Sequence, residues 1–308
     1  MNTPPKLIHQ VLLAVDGSEH SLAAVKTVRD MALAAAHCTE CQVKILGVLP
    51  VSEGSNHAVY LIPLREAERI LSEHGVQTSS DLIQGYPAEV LLDQAATNHP
   101  DLVVIGAKGL RATLGILLGG VAQQVVEHAC CPVLVIRAPY RRISCILVVT
   151  DGSQCSRQAV EFAANFPFIT GTDFHLLHVR PPSSVLTPEV LARIWALPDD
   201  VIDPSIFATR DVEAEIQAAD RAGQTILDDA NHSLLSQGIQ AKKLLLQGDA
   251  ATEIIQYASD NQIDLIIAGS RGLSPVQSWL LGSVSRKLVH YAGCSVLLVK
   301  QPEALDSA

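Results

Sequence analysis

Residues 264–272 read DLIIAGSRG, an apolar run that passes directly into a turn with two glycines. Residues 101–109 read DLVVIGAKG and repeat that pattern 163 positions earlier (264 minus 101). An apolar run that ends in a glycine turn is typical of a buried strand followed by a ligand-binding loop in an α/β sheet. The sequence therefore predicts that one structural unit occurs twice in the chain.

Two further segments support the duplication. Residues 11–17, VLLAVDG, align with residues 146–152, ILVVTDG, at an offset of 135 (146 minus 11). Residues 43–50, VKILGVLP, align with residues 174–181, FHLLHVRP, at an offset of 131 (174 minus 43). Because the offset grows only after this second pair, the second copy carries an insertion there, which includes much of 182–220.

Each copy alternates apolar runs with amphipathic stretches. Runs rich in Val, Ile and Leu predict parallel strands buried on both faces, and they lie at 10–15, 43–49, 76–84, 101–105, 132–136, 145–150, 174–179, 239–246, 264–268 and 295–299. Helices are predicted between them, including 21–36, one that begins at Pro87, and 211–236. The predicted fold class is α/β, with two doubly wound, five-stranded parallel-sheet domains in tandem, at 1–138 and 143–302.

Composition excludes several classes of function. The chain has 308 residues, with 22 Lys and Arg against 32 Asp and Glu, and a formal net charge of −10. Binding to nucleic acid phosphates needs a basic face, so nucleic acid is not an expected partner. The apolar runs are too short for a membrane span, the start has no signal sequence, and the seven cysteines are an odd number. We therefore expect a cytoplasmic protein with reduced thiols and no membrane partner.

Candidate ligand groups follow the predicted strands, where doubly wound sheets bind their ligands. Asp151 follows the first strand of the second copy, and the glycine loop after the fourth strand continues into Gly282, Ser283 and Ser285 before a helical stretch. Glycine lets main-chain N–H groups approach an anion, a helix start adds unpaired donors, and Arg271 adds a cation. This chemistry predicts a phosphate site. A second interpretation of Asp151, as the cap of the helix that follows it, stays open.

On these residues the chain resembles a tandem member of the universal stress protein family, whose domains are adenine nucleotide alpha hydrolase-like. Nucleotide-binding members carry Gly-x2-Gly-x9-Gly-Ser/Thr, an aspartate after the first strand, and a main-chain contact to adenine at the end of the second strand. The resemblance implies ATP as the ligand, with Mg²⁺ accompanying its phosphates. The implied cofactor-binding residues of the second copy are Thr150, Asp151, Val179, Gly269, Arg271, Gly272, Gly282, Ser283, Val284 and Ser285.

The first copy departs from this pattern. Gly120 stands at the Ser/Thr position, Ala122 at the later hydroxyl position, and Lys108 in place of the arginine. Loss of two hydroxyl donors predicts a degenerate site and one strong nucleotide site per chain, although occupation of the first copy stays open. Its candidate residues are Asp16, Val48, Gly106, Gly109, Gly119 and Gly120.

The resemblance also implies how the two domains associate. The fifth strands of the family pair antiparallel, so residues 131–137 and 294–300 are expected to pair within one chain as an intramolecular pseudo-dimer. Homodimerisation of the whole chain stays open.

The function implied by the resemblance is ATP binding in the stress response, through nucleotide-dependent signalling or partner binding. Two alternatives remain: an adenylating or slowly ATP-hydrolysing enzyme, and a scaffold that binds no nucleotide. The sequence contains no Gly-x4-Gly-Lys-Ser/Thr loop and no Ser-Gly-Gly-x-Asp-Ser loop, which favours a binding protein over an enzyme.

Overall fold

The computed structural model describes residues 8–34, 41–51, 57–110, 117–181, 210–273 and 281–300. Within these ranges the strands are β1 Gln10–Ala14, β2 Gln42–Pro50, β3 Gln77–Gly85, β4 Leu102–Gly106, β5 Val133–Ile136, β6 Cys145–Val149, β7 Asp173–Arg180, β8 Ala241–Gln247, β9 Leu265–Gly269 and β10 Ser295–Val299. The helices are α1 Glu19–Ala34, α2 His57–Ser72, α3 Pro87–Asn98, α4 Gly120–His128, α5 Gln154–Asn165, α6 Arg210–Leu235, α7 Ala250–Asp260 and α8 Ser283–Tyr291.

All ten strands form one sheet in the order β3-β2-β1-β4-β5-β10-β9-β6-β7-β8. The first five strands run parallel to one another, and so do the last five. At the centre β5 and β10 pair antiparallel, with Val296 opposite Val135, which is the pairing that the resemblance implies. The predicted fold of two doubly wound, five-stranded halves in tandem is therefore confirmed.

The sheet separates two hydrophobic cores because alternate residues of each strand face opposite sides. Leu13 of β1 and Ile146 of β6 pack in the core beneath α1, α2, α5 and α6. Leu12 and Leu147 pack on the opposite face, beneath α3, α4, α7 and α8. Strands β4 and β9 are buried along their whole length, and this two-sided burial explains why the central strands show no polar alternation in the sequence.

The helices lie close to their predicted positions. Helix α1 begins at Glu19, two residues before the predicted start, because Ser18 already accepts a hydrogen bond from Ser21 N (3.1 Å). Helix α3 begins at Pro87 as predicted, and α6 covers 210–235 against the predicted 211–236. The remaining part of the predicted insertion, 182–209, lies outside the described residues.

Arg137, directly after β5, connects the two halves. One guanidinium nitrogen donates to the carbonyls of Val289 (2.7 Å) and His290 (3.2 Å), at the C-terminal end of α8. The other nitrogen donates to the carbonyl of Leu117 (2.7 Å), two residues before Gly119 of the first half. A cation at a helix C-terminus pairs with carbonyls that have no partner within the helix.

Lys300, directly after β10, makes the reciprocal contact. Its ammonium group donates to the carbonyls of Glu127 (3.1 Å) and Ala129 (2.7 Å), at the C-terminal end of α4. The last helix of each half is thus capped by the cation that follows the fifth strand of the other half. Burial is the main cause that lowers the pKa of Lys300, to about 8, although the thiol of Cys131 acts in the opposite direction.

We expect Lys300 to make stability rise with pH. Its pKa is about 8 in the folded protein against 10.5 for an ordinary lysine, so between these values the unfolded chain binds more protons and alkali favours the folded state. The wild type should gain on the order of 2 kcal/mol relative to Lys300→Met between about pH 7.5 and 10.5, measured by urea unfolding. The same substitution at the exposed Lys287 serves as the control. Parallel pH profiles for the wild type and Lys300→Met would contradict the expectation.

Candidate functional site

The site of the second half is organised by the carboxylate of Asp151, directly after β6. Its Oδ1 accepts a hydrogen bond from Ser153 N (2.9 Å), which closes a tight turn. Its Oδ2 accepts from Leu273 N (3.2 Å), in the glycine loop that follows β9. One side chain therefore joins the loops after the first and fourth strands of this half, at the carboxyl edge of the sheet.

Steric demands account for two of the loop glycines. A Cβ atom on Gly272 would lie 2.5 Å from Asp151 Oδ2, so any side chain there would displace the carboxylate. A Cβ atom on Gly269 would lie 2.7 Å from the carbonyl carbon of Cys155, in the first turn of α5. Because they have no side chain, these glycines allow the loop to pack directly against Asp151 and α5. They therefore fix the position of the loop in the candidate site.

Gly282 fixes the start of α8 over the same loop. Its N–H donates to the Ser270 carbonyl (2.9 Å), and as N-cap residue it provides no side-chain hydrogen bond. The first N–H groups of any helix lack partners within the helix. The N–H groups of Ser283, Val284 and Ser285 therefore have no acceptor within α8, and such groups, together with the helix dipole, can bind an anion.

The two predicted hydroxyl donors differ in the structure. Ser283 is exposed in the first turn of α8. Ser285 is buried, and its hydroxyl donates to the Gly269 carbonyl (2.7 Å). This hydroxyl proton holds the end of β9, and the contribution of Ser285 to a phosphate site stays a prediction that now rests on its main-chain N–H.

The helix after β6 is capped by Ser153 and not by Asp151. Ser153 Oγ accepts from Ser156 N (3.2 Å), which satisfies a free donor of α5. The open interpretation of Asp151 as the helix cap is thus wrong, and its carboxylate links loops instead. Thr150 is buried, with its Oγ1 3.2 Å from Ser156 Oγ, so its side chain belongs to this turn.

His178 and Val179 lie at the end of β7, beside Thr150. The buried imidazole of His178 places Nδ1 2.8 Å from the Thr150 carbonyl, so Nδ1 carries the hydrogen and donates. The Val179 side chain is half-buried against the core on the opposite face of the sheet. The imidazole therefore has a structural hydrogen bond, and the predicted role of Val179 rests on its main chain alone.

Two cations border the loops of the second half. Arg271, in the glycine loop, is half-buried, and its charge helps to lower the pKa of Lys300. Arg157, which the sequence analysis did not select, donates from Nη1 to the Gly152 carbonyl (2.7 Å), beside Asp151. The sequence repeat could have identified Arg157, because the equivalent residue of the first copy, at the offset of 135, is the uncharged Leu22. The second copy therefore has a cation after its first strand that the first copy lacks.

The first half repeats this main-chain frame. Asp16 accepts from Ser18 N (2.9 Å) and from Leu110 N (3.0 Å), and Gly119 N donates to the Ala107 carbonyl (2.8 Å). The other candidate glycines hold the equivalent positions: Gly106 against α1, Gly109 against the Asp16 carboxylate, and Gly120 as the first residue of α4. Val48 is buried in β2. The halves thus share a backbone arrangement and differ in the side chains around it.

Two other features of the described residues bear on the site. Within those residues, no group of three or more His, Cys, Asp or Glu side chains is placed to hold a metal ion. Their helices also include none with the length and apolar character of a membrane span.

Two doubly wound halves, each with a glycine loop held by an aspartate, define a tandem α/β protein whose candidate sites lie at the carboxyl edge of the sheet. Residues 8–137 and residues 143–300 each match the model of the Universal stress protein family. The chain therefore belongs to this family and contains its domain twice.

Individual relatives share one or both halves. The universal stress protein YxiE of Bacillus subtilis is 31% identical over 155 residues, covering 50% of this chain and 97% of its own. The universal stress protein Mb2028c of Mycobacterium bovis is 24% identical over 318 residues, covering 96% of this chain and 99% of its own. A functionally unknown protein, PA1789 of Pseudomonas aeruginosa, has the same fold, with a TM-score of 0.65, 15% identity, and coverage of 96% and 93%.

Some family members have been solved with nucleotides. One is a universal stress protein in complex with cAMP, 26% identical to this chain, with a TM-score of 0.34 and coverage of 43% and 98%. Another is an Arabidopsis thaliana member with AMP bound, 23% identical, with a TM-score of 0.35 and coverage of 42% and 90%. Those ligands are properties of those two proteins.

The contact between Gly272 and Asp151 should appear as energetic coupling. Gly272→Ala should lower the free energy of unfolding by about 1–3 kcal/mol, because its methyl group overlaps the carboxylate. In an Asp151→Ala background the same substitution should cost under ~0.5 kcal/mol, which a double-mutant cycle in urea measures. Gly293→Ala, whose Cβ meets nothing within 4 Å, is the matched control. If Gly272→Ala lowers the free energy of unfolding equally in both backgrounds, the Asp151 carboxylate is not the reason why position 272 requires glycine.

Proposed function

We propose that the second half binds one adenine nucleotide, with ATP as the leading candidate, and that binding controls a signalling or partner interaction in the stress response. Hydrogen bonds from Leu273 N to Asp151 and from Gly282 N to the Ser270 carbonyl hold the start of α8 and the turn after β6 around one loop. The first half has the same pair, so the observation that carries the proposal is the exposed Ser283 hydroxyl at the start of α8, where the first half has Gly120.

The residues present fit the phosphates of a nucleotide. The first turn of α8 offers main-chain N–H donors, Ser283 adds an exposed hydroxyl, and Arg271 adds a positive charge. Main-chain donors that are already fixed need little reordering when an anion binds. If Mg²⁺ accompanies the nucleotide, oxygen atoms of the phosphates and water would supply its ligands, since this ion keeps several waters in such sites.

Base recognition is proposed for the end of β7. Val179 would contact adenine through its main-chain groups, while the imidazole of His178 fixes the neighbouring Thr150 carbonyl. The buried imidazole and the linked carboxylate make this part of the site rigid. A rigid site of this kind favours binding with little loss of conformational entropy.

The same contacts favour binding over catalysis. Both oxygens of Asp151 accept main-chain N–H groups, His178 Nδ1 is engaged with Thr150, and the Ser285 proton is engaged with Gly269. The sequence also lacks the Gly-x4-Gly-Lys-Ser/Thr and Ser-Gly-Gly-x-Asp-Ser loops, so we propose at most slow ATP turnover. We further propose that the domains occupy 1–138 and 143–302.

Calorimetric titration with ATP should give one site per chain. Gly282→Asp should weaken binding at least ~tenfold, because it places a carboxylate next to the phosphate donors. The matched control is Gly119→Asp, which makes the same change at the equivalent residue of the first half and should leave the affinity unchanged.

Three results would contradict the proposal in different ways. Absence of binding by AMP, ADP and ATP would favour a scaffold without a nucleotide. A stoichiometry near two would show that the first half is also occupied. Sustained phosphate release that Gly282→Asp abolishes would favour the hydrolytic alternative.

A further inference from the structure

Large apolar residues that are exposed to solvent are concentrated at one edge of the sheet. Eleven such residues occur in the part of the chain that the structure describes, and seven of them lie at the carboxyl edge of the first half. A concentration of this kind marks an interaction surface, whereas single exposed apolar residues need no explanation. We call these seven residues the apolar rim: Leu22, Val51, Val59, Ile62, Tyr86, Leu110 and Leu117.

Strand pairing and hydrogen bonds bring the members of the rim to the same edge. Val51 and Tyr86 directly follow the last paired residues of β2 and β3. Leu110 N donates to the Asp16 carboxylate (3.0 Å), so the loop after β4 lies beside the turn after β1. Leu22 lies in the first turn of α1, which begins at that same turn. The rim therefore follows the ends of four neighbouring strands, β3, β2, β1 and β4.

The exposed stripe of α2 changes character along the helix. Val59 and Ile62, three residues apart in the first two turns, are 43% and 67% exposed. A Cβ atom on Gly17 would lie 4.0 Å from the Val59 carbonyl oxygen, which places this end of α2 beside the turn after β1. Farther along the helix the exposed side chains are charged, and Glu66 pairs with Arg69 at 2.6 Å. The apolar part of the stripe thus lies at the rim, and the charged part lies away from it.

Tyr86 occupies a position where a helix cap is expected. It is the N-cap residue of α3, yet its side chain makes no cap hydrogen bond, and the residue is 66% exposed. The equivalent residue of the second half, Asp249 at the offset of 163 (249 minus 86), accepts from Thr252 N and caps α7. Tyrosine at an N-cap forgoes this stabilising hydrogen bond. Tyrosine is also enriched in the buried centres of protein interfaces, so the first half presents a contact group in place of a cap.

The corresponding edge of the second half is polar. Asp249 stands where the first half has Tyr86, and Arg157 stands where it has Leu22. Among the described residues of that edge, Leu273 is the one exposed large apolar residue. Contact between a first half and a second half would bury charged groups against apolar side chains, which costs free energy. The rim of one chain is therefore matched best by the rim of another.

The rim is large enough for a stable dimer. Taking on the order of 200 Å² for a fully exposed large residue, its exposed fractions correspond to roughly 700 Å². A standard interface buries about 800 Å² on each partner, of which somewhat more than half is nonpolar. Charges beside the rim have both signs, with Glu19 and Glu89 exposed and Lys108 half-buried, so a two-fold arrangement can pair unlike charges. Elsewhere the formal net charge of −10 opposes association of two copies.

We propose that the apolar rim is a homodimer interface, in which the first half of one chain packs against the first half of a second copy around a two-fold axis. Such a contact uses the same surface on both chains, so it closes on itself and assembly through the rim stops at the dimer. The second half of each chain keeps its carboxyl edge exposed. Dimer formation in this way needs no ligand in either half and is independent of the proposed function.

Sedimentation equilibrium of the full chain without added nucleotide tests the interface. We expect a dimer with a dissociation constant of about 30 μM or lower. Ile62→Glu combined with Tyr86→Asp should weaken the dimer at least ~100-fold, because each chain then brings two carboxylates into the apolar contact. The matched controls are Leu33→Glu and Tyr291→Glu, which place a charge on exposed apolar residues outside the rim and should leave the dissociation constant within about twofold of the wild type.

Tyr86→Asp by itself separates association from folding. Asp at this N-cap should give α3 the hydrogen bond that Asp249 gives α7. The single variant should therefore dissociate more readily than the wild type. At a concentration where both chains are monomeric, its melting temperature should be no lower than that of the wild type. Loss of the dimer in a chain that folds at least as well assigns the loss to the interface.

Two results would overturn the proposal. One is a wild-type dissociation constant above ~30 μM, since the rim would then be no stable interface. The other is a dimer that persists in the folded Ile62→Glu, Tyr86→Asp chain, which would place the contact between copies elsewhere on the molecule.

Discussion

The carboxylate that follows the first strand of each half is the constraint on which both candidate sites depend. It accepts one main-chain N–H in its own turn and one from the glycine loop after the fourth strand, at Asp16 and again at Asp151. A charged acceptor makes such hydrogen bonds stronger than neutral ones. The loops, the glycines beside them and the start of the following helix are positioned through this link, so the aspartate shapes the loop of each candidate site.

The second constraint is the antiparallel pair of β5 and β10. It joins two parallel sheets into one and covers two apolar edges that would otherwise be exposed. Arg137 and Lys300 extend the connection, since each follows a fifth strand and caps the last helix of the opposite half. The helix that starts at each candidate site therefore ends at a cation from the other half.

Duplication has preserved the backbone of the site and changed the groups that would contact a ligand. The main-chain frame is the same in both halves, whereas Ser283 corresponds to Gly120 of the first half and Arg157 corresponds to Leu22. Main-chain geometry is kept by packing, which both halves need in order to fold. Side chains at the candidate site are freer to diverge, since each half serves as the partner of the other across the β5 and β10 pair whether or not it binds a ligand.

The order of the elements and the duplication could be read from the amino-acid sequence, because strands buried on both faces require continuous apolar runs and the repeat offsets are visible in the sequence. It also located the loops around Asp151 and Gly269, since parallel strands place their functional loops at one edge. The roles of the side chains there required the folded structure: Ser153 caps α5, the Ser285 hydroxyl donates to the Gly269 carbonyl, and Arg137 and Lys300 each cap a helix of the opposite half. These assignments depend on contacts between residues more than 100 positions apart, or on the choice among several nearby acceptors, and neither is encoded in spacing along the chain.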